Sequence, residues 1–291
     1  MKIAIASGKG GTGKTTLSIN LALMLNQQTR NSKDVVLTDL DVEEPNSGVF
    51  INGAVVNKET KYRQIPEINF DRCTFCGRCK DVCNFNAIAT LPGNVLVFPE
   101  LCHSCNACAG LCPEKAINMK SHAIGNLVEI VKDNLTFVES TLNIGEQQAV
   151  PLISQAIEYS NKRFKADSLF IYDAPPGTSC PMIESIKSAD FVILISEPTP
   201  FGLHDLNLSV ETMRKLGKPF GVVINRDGLG KDIIGEYCTE QQAPVLGRIP
   251  DSREIATLYS KGDSIFHLKS VNKALENIVQ NIEKQTNKNI F

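Results

Sequence analysis

The chain has 291 residues, 42% of them hydrophobic, and carries 30 basic against 32 acidic side chains, a formal charge of −2. That balance excludes a globally basic nucleic-acid binder, and no apolar run approaches membrane-spanning length, so neither DNA nor a bilayer is an expected partner. The chain enters an apolar segment directly after Met1-Lys2, without leader or cleavage signals; the expected compartment is the reducing cytoplasm, where ten cysteines serve as metal ligands or free thiols rather than disulfides.

The first sixteen residues predict a buried strand, a glycine-rich loop and a helix over 15–26. In the loop, Gly8, Gly10, Gly11, Thr12, Gly13, Lys14, Thr15 and Thr16 fit a P-loop. There, backbone N–H groups wrap nucleotide phosphates, Lys14 reaches the β- and γ-phosphates, and the Thr15 hydroxyl ligates Mg²⁺. The helix points its positive end at the same anion. A following apolar run, 34–41, reads as a strand that delivers Asp39 and Asp41 at its C-terminal end, where open α/β sheets bind ligands.

Lys9 stands directly after the first glycine, where an ordinary P-loop requires no lysine. Gly8-Lys-Gly-Gly-Thr-Gly-Lys-Thr-Thr16 resembles the deviant P-loop of the MinD, ParA and nitrogenase iron protein class of ATPases. The resemblance implies an ATP-bound homodimer in which Lys9 crosses to the partner's nucleotide; the plainer alternative is a solvated loop lysine. Asp39-Leu-Asp-Val-Glu-Glu-Pro-Asn46 looks like the family's switch I, which makes Asp41 the catalytic candidate that orients the attacking water. Asp39 either organises Mg²⁺ or caps the loop.

Near residue 58 the composition changes, and an inserted domain is expected over 60–120, with the P-loop domain formed by 1–59 and 121–291. Two similar cysteine runs carry the bacterial ferredoxin spacing: Cys73, Cys76, Cys79 and Cys83, then Cys102, Cys105, Cys108 and Cys112. That spacing predicts two [4Fe-4S] clusters with crossed ligation, Cys73, Cys76, Cys79 and Cys112 on one and Cys83, Cys102, Cys105 and Cys108 on the other. The fourth cysteine of each run is expected to start a short helix. Zinc is the competing occupant of paired Cys-x-x-Cys steps. Asn84 departs from the ferredoxin pattern, which has proline there. Ile88, Val95, Val97, Phe98 and Ile117 are expected to pack around the clusters, and His103 to be a surface or supporting residue rather than a ligand.

Beyond the insert, strands are expected at 122–131 and 135–139 and a helix at 150–164. The run 167–173 ends in Asp173 in the Walker B manner, where the carboxylate holds Mg²⁺ through water. Asp-Ala-Pro-Pro-Gly177 closely resembles switch II of MinD and the Mrp-type ATPases, which implies a γ-phosphate contact from the Gly177 backbone. Strands follow at 190–196, 219–225 and 245–249. By the same resemblance Asn225, Pro250 and Asp251 contact adenine, against the alternative that they close strands as turn residues. His204 is expected to pack at a helix N-terminus. A one-faced apolar pattern over 271–282 predicts a docked helix, with membrane binding the lesser alternative.

The expected fold is therefore α/β, a mostly parallel, doubly wound P-loop sheet with an inserted small α+β bacterial-ferredoxin-like domain. Three functions fit: an ATPase, slow without its partner, whose nucleotide-driven homodimer gates electron transfer to a redox partner protein; an iron-sulfur cluster carrier; and a MinD-like positioning ATPase. The Mrp-type carriers place a Cys-x-x-Cys near the C-terminus, where this chain has only Cys238. Cys180 stands where the nitrogenase iron protein has a switch II cluster ligand, yet the second cysteine that ligand set needs is absent between Cys112 and Cys180. A small buried thiol is the favoured expectation there; a pair of Cys180 thiols meeting at a dimer axis is the sharper one.

Overall fold

A computed structural model of the chain describes residues 1–29 and 32–290. The chain forms two compact units: residues 1–58, 127–141 and 153 onward make one, and 59–126 with 142–152 the other.

The first unit opens with β1 (Lys2–Ala6), the phosphate-loop segment, α1 (Lys14–Thr29) and β2 (Val35–Asp39). Strand β3 (Ala54–Ile68) runs from this unit into the second. The second unit contains α2 (Arg78–Asp81), the hairpin of β4 (Ile88–Leu91) and β5 (Asn94–Val97), and α3 (Ala107–Gly110). Strand β6 (Ile117–Lys132) returns to the first unit, followed by β7 (Leu135–Leu142) and α4 (Ala149–Arg163). The remainder alternates: β8 (Leu169–Asp173), α5 (Cys180–Lys187), β9 (Phe191–Ser196), α6 (Pro200–Leu216), β10 (Phe220–Asp227), α7 (Ile233–Glu240), β11 (Val245–Pro250), α8 (Arg253–Ser260) and α9 (Lys269–Thr286).

The large sheet has the order β11-β10-β9-β1-β8-β2-β7-β6-β3, and its pairs from β11 to β7 are parallel. The runs KIAIA, VVLTD, LFIYD and FVILIS are apolar on both faces because helices cover both sides. Alternate strand residues, among them Ile3, Ile5, Leu37, Ile171 and Ile193, share one core with Leu17, Leu21 and Leu25 of α1 and Leu275, Ile278 and Ile282 of α9. The apolar stripe of α9 is thus spent on the protein's own sheet, as expected for a docked helix. No helix among the described residues is long and apolar enough to cross a membrane.

Strand order reverses around β1, which lies between β8 and β9. Ligands of open α/β sheets bind in the crevice beyond the strand C-termini at such a reversal. The glycine loop leaves β1 at that edge, and register aligns Asp39 at the end of β2 with Asp173 at the end of β8.

The second unit is built on an internal repeat. Left-handed φ values recur at matched positions of the two cysteine runs: Phe75 and Ser104, Gly77 and Asn106, Asn86 and Lys115. Each run turns tightly after its first two cysteines and again after its fourth. The short helices α2 and α3 carry the third cysteines, Cys79 and Cys108, and end before Cys83 and Cys112. The fourth cysteine therefore follows the helix rather than starting it, because the left-handed residue before each helix forces the backbone to begin its turn one ligand earlier. Ile88, Val95 and Ile117 are buried around the cysteines as expected. Val97 and Phe98 are only half-buried, Val97 lying at the end of a two-stranded ribbon with one solvated side.

Candidate functional site

The phosphate loop is braced by Asn225 of β10. Gly13 has φ +97 and packs where a Cβ would collide with Asn225, whose Nδ2 donates to the Thr12 carbonyl at 2.8 Å. Lys14 is buried at 6% exposure and faces Asp173, Asp41 and Asp39. Burial lowers its pKa, and those three carboxylates offset part of that effect. Thr15 and Thr16 line a cleft of about 510 Å³ together with Gly10, Gly11, Gly13, Lys14 and Asp41. Asn225, Pro250 and Asp251 line the same cleft. Gly8 does not line the cleft and packs against Asp205 of α6.

The two strand-end carboxylates have different surroundings. Asp173 is fully buried; its Oδ1 accepts from Ser18 Oγ at 3.0 Å, while Oδ2 has no hydrogen-bond partner. Burial, then the charge of Asp39, raises its pKa, with Thr15, Lys14 and Ser18 offsetting in part. An unpartnered buried carboxylate oxygen beside the Thr15 hydroxyl fits the needs of a hydrated divalent cation. Asp39 spends both oxygens on the loop that follows: Oδ1 accepts from Asp41 N at 3.0 Å and Oδ2 from Ser47 N at 3.1 Å. Of the two roles expected for Asp39, loop capping is the one this geometry displays. Asp41 is half-buried, and burial followed by the charge of Asp39 pushes its pKa up to about 6.

Two family-implied contacts are engaged within the chain. Lys9 Nζ lies 2.7 Å from Glu197 Oε1, and the other oxygen of that carboxylate takes Arg226 Nη1 at 3.0 Å. Gly177, at φ +94, donates its N–H to the Ser7 carbonyl at 2.9 Å.

In the second unit, the cysteines line two separate cavities. One is walled by Cys73, Cys76, Cys79 and Cys112, with Ile68, Val95 and Ile117. The other is walled by Cys83, Cys102, Cys105 and Cys108, with Ala87, Ile88 and Met119. Backbone N–H groups point at three of the sulfurs: Ala87 at Cys83 (3.3 Å), Ser104 at Cys102 (3.4 Å) and Ala116 at Cys112 (3.3 Å). Burial raises the thiol pKa of Cys79, and that of Cys108 to about 11. Neighbouring cysteines of the same run add to both shifts. The four thiols surround space rather than meet at a point: among the described residues, no group of three or more His, Cys, Asp or Glu converges to hold a single ion. His103 is exposed and stacks on Phe85, ring centroids 3.7 Å apart.

Two expectations need correction. Cys180 is exposed, not buried, because it opens α5 immediately after the switch II segment instead of packing behind it. His204, the fifth residue of α6, is exposed rather than packed; the helix is capped by Thr199, whose Oγ1 accepts from Gly202 N at 3.0 Å. Sequence reasoning also missed Glu197 and Arg226, and the apolar cleft wall of Ile255, Tyr259 and Ile265. The amphipathic pattern of 253–260 was the available signal for that wall.

A parallel sheet with a glycine loop at its strand-order reversal and two aligned carboxylates defines a P-loop nucleotide-binding protein. Over residues 3–265 the sequence matches the CobQ/CobB/MinD/ParA nucleotide binding domain, and the chain belongs to that family of ATPases. An uncharacterised protein of Methanocaldococcus jannaschii is 35% identical over 79% of each chain. An iron-sulfur cluster carrier protein of Pyrococcus horikoshii is 25% identical over 86% of this chain and 73% of its own. An uncharacterised ferredoxin of M. jannaschii is 37% identical over 18% of this chain and 74% of its own. Among solved structures, the septum site-determining protein MinD complexed with Mg-ADP from P. horikoshii covers 97% of this chain and 96% of its own at TM-score 0.60 and 17% identity, a likeness of fold.

Proposed function

We propose that this protein is an ATP-hydrolysing iron-sulfur protein in which a nucleotide-driven homodimer cycle governs electron transfer to a partner protein. The observation that carries the reading is the pair of cavities, each walled by the crossed set of four cysteines, in a chain that also holds a complete phosphate loop. Their fit to [4Fe-4S] clusters rests on eight thiols divided into two walled sets of four at the ferredoxin spacing, with N–H groups aimed at three of the sulfurs. Such clusters supply one-electron chemistry at a potential set by those hydrogen bonds and by exposure. Zinc, which gathers its four ligands at one point, is the poorer match, since among the described residues no three of these thiols converge on one ion.

At the nucleotide, Lys14 carries the fixed positive charge for the β- and γ-phosphates, with Gly8, Gly10, Gly11, Thr12 and Gly13 offering loop backbone. Thr15 and Asp173 bracket Mg²⁺, Asp39 holds switch I in register, and Asp41 orients water. Gly177 reaches the γ-phosphate only after leaving Ser7, and Lys9 reaches a partner's nucleotide only after leaving Glu197.

The test is anaerobic purification followed by iron and sulfide analysis, and rapid mixing of dithionite-reduced protein, freed of excess reductant, with an oxidised low-potential dye and ATP or ADP. About eight iron and eight sulfide per chain are expected, with dye reduction faster under ATP. Stoichiometric zinc without sulfide, or dye reduction indifferent to nucleotide, defeats the reading. Cluster carriage is the second reading, favoured by the cluster-carrier relative; it predicts that holo-protein loads an apo-ferredoxin while losing its own iron.

A further inference from the structure

The two cysteine runs are near copies, so differences between their surroundings separate the two cavities. In the set Cys83, Cys102, Cys105 and Cys108, two members are buried, Cys102 at 8% and Cys108 at 9% exposure. In the set Cys73, Cys76, Cys79 and Cys112, none is.

The backbone differs more sharply. Arg63 on β3 is 4% exposed and sends Nη1 to the Cys102 carbonyl and Nη2 to the Pro99 carbonyl, the latter at 2.8 Å. Its charge is met by Glu146 at 2.7 Å, whose second oxygen takes His122 Nε2 at 3.0 Å. Gln148 Nε2 holds the Glu100 carbonyl at 3.2 Å. Three carbonyls of the segment leading into Cys102 are thus tied by side chains. At the matched carbonyls of the other run, those of Phe70, Asp71 and Cys73, no side-chain donor is present among the described residues. The repeat is symmetric in sequence and asymmetric in support.

Handing over a cluster exchanges one thiolate for another and losing it to a chelator replaces each thiolate by the chelator; either step is eased where solvent reaches the cysteine and its backbone can move. Moving Cys102 breaks its guanidinium hydrogen bond and, where the preceding segment follows, the one to the Pro99 carbonyl, leaving N–H groups of the buried Arg63 without acceptors. Moving Cys73 breaks nothing comparable. We infer that the cavity of Cys73, Cys76, Cys79 and Cys112 is the exchangeable site and that of Cys83, Cys102, Cys105 and Cys108 the resident one, with Arg63 the positioning residue that holds the second closed. This deepens the two-cluster reading above and rests on it.

The test follows iron release from anaerobic holo-protein into a strong ferrous chelator, with iodoacetamide added at intervals to trap freed thiols for peptide mass spectrometry. Two phases of equal amplitude are expected, about tenfold or more apart in rate. Thiols trapped in the fast phase should be Cys73, Cys76, Cys79 and Cys112. Arg63→Gln should speed the slow phase towards the fast one without changing the fast one, and Arg63→Lys should restore part of the difference. General loosening of the unit would speed both phases together. A single phase, early labelling of Cys102 and Cys108, or equal acceleration of both phases by Arg63→Gln overturns the inference while leaving eight iron and sulfide intact. Protein that never contains sulfide overturns the two-cluster reading itself. The trapping experiment on the unmodified chain decides the matter even if Arg63→Gln fails to fold.

Discussion

The P-loop unit and the cysteine unit are stabilised in opposite ways. The first is covered on both faces of its sheet: Ile3, Ile5, Leu21, Leu25, Phe137, Ile193, Leu275 and Ile278 are fully buried in one cluster, and Val36, Tyr172, Val192, Leu194 and Val222 are fully buried outside it. The second has two small clusters, and cysteines are members of both: Cys108 with Ile88, Val95 and Ile117, and Cys102 with Ile65 and Ala87. A unit of this size buries too little apolar surface to outweigh its chain entropy, and small domains make up the difference with disulfides or metal. The P-loop unit's core is built of its own side chains, whereas on the two-cluster reading the cysteine unit would depend on its ligand for its interior.

Removing the iron should break that parity most severely. Chelated protein is expected to lose protection throughout the cysteine unit by hydrogen exchange while the sheet strands β1, β8 and β9 keep theirs. Equal protection in both units would show that apolar burial alone holds the second. Next in size, Lys14→Ala removes the buried cation facing three carboxylates and should weaken ATP binding by about a hundredfold or more in calorimetry, with iron content unchanged. A loss of iron in that variant would mean that the units are not independently stable. Asp41→Ala should keep ATP bound while hydrolysis falls by about a hundredfold, read from phosphate release in a single-turnover assay.

The smallest effect expected is one of pH. Asp41, raised to about 6, and Asp173, also raised, bind protons more readily in the metal-free fold than in the unfolded chain. A carboxyl raised in this way contributes stability that is complete below its unfolded value and lost as pH rises through its folded one. Metal-free, nucleotide-free protein should therefore melt roughly a few degrees lower at pH 7.5 than at pH 5 in the transition of the P-loop unit. Mg²⁺-nucleotide affinity, which needs the ionised carboxylates, should strengthen over the same interval. A flat profile for both would place the ionised carboxylates in a more solvated setting than their burial implies.

Much of both units was legible because the signals are local. The strand-loop-helix around Lys14, the carboxylates ending β2 and β8 and the crossed cysteine spacing each lie within a short stretch of chain. What escaped was set by distance along the chain. Lys9 finds Glu197, and Arg63 finds the carbonyls around Cys102, through folding that no spacing encodes. Strand β3 escaped too, because KETKYRQIPEI mixes charge with apolar residues and carries a proline that argues against a central strand. Cys180 was misread since burial statistics for free cysteine say nothing about a residue placed at the exposed first turn of a helix.

The pairing of Lys9 with Glu197 also bears on how the chain should respond to ionic strength. A lysine waiting free in solvent gains the whole of any new charge contact, and added salt weakens that contact in full. Lys9 instead starts in an ion pair with a carboxylate of 9% side-chain exposure, shared with Arg226, so moving it to a phosphate exchanges one screened attraction for another. Salt then acts on both sides of the exchange, and self-association through Lys9 should depend on salt concentration far less than the charges of lysine and phosphate alone suggest.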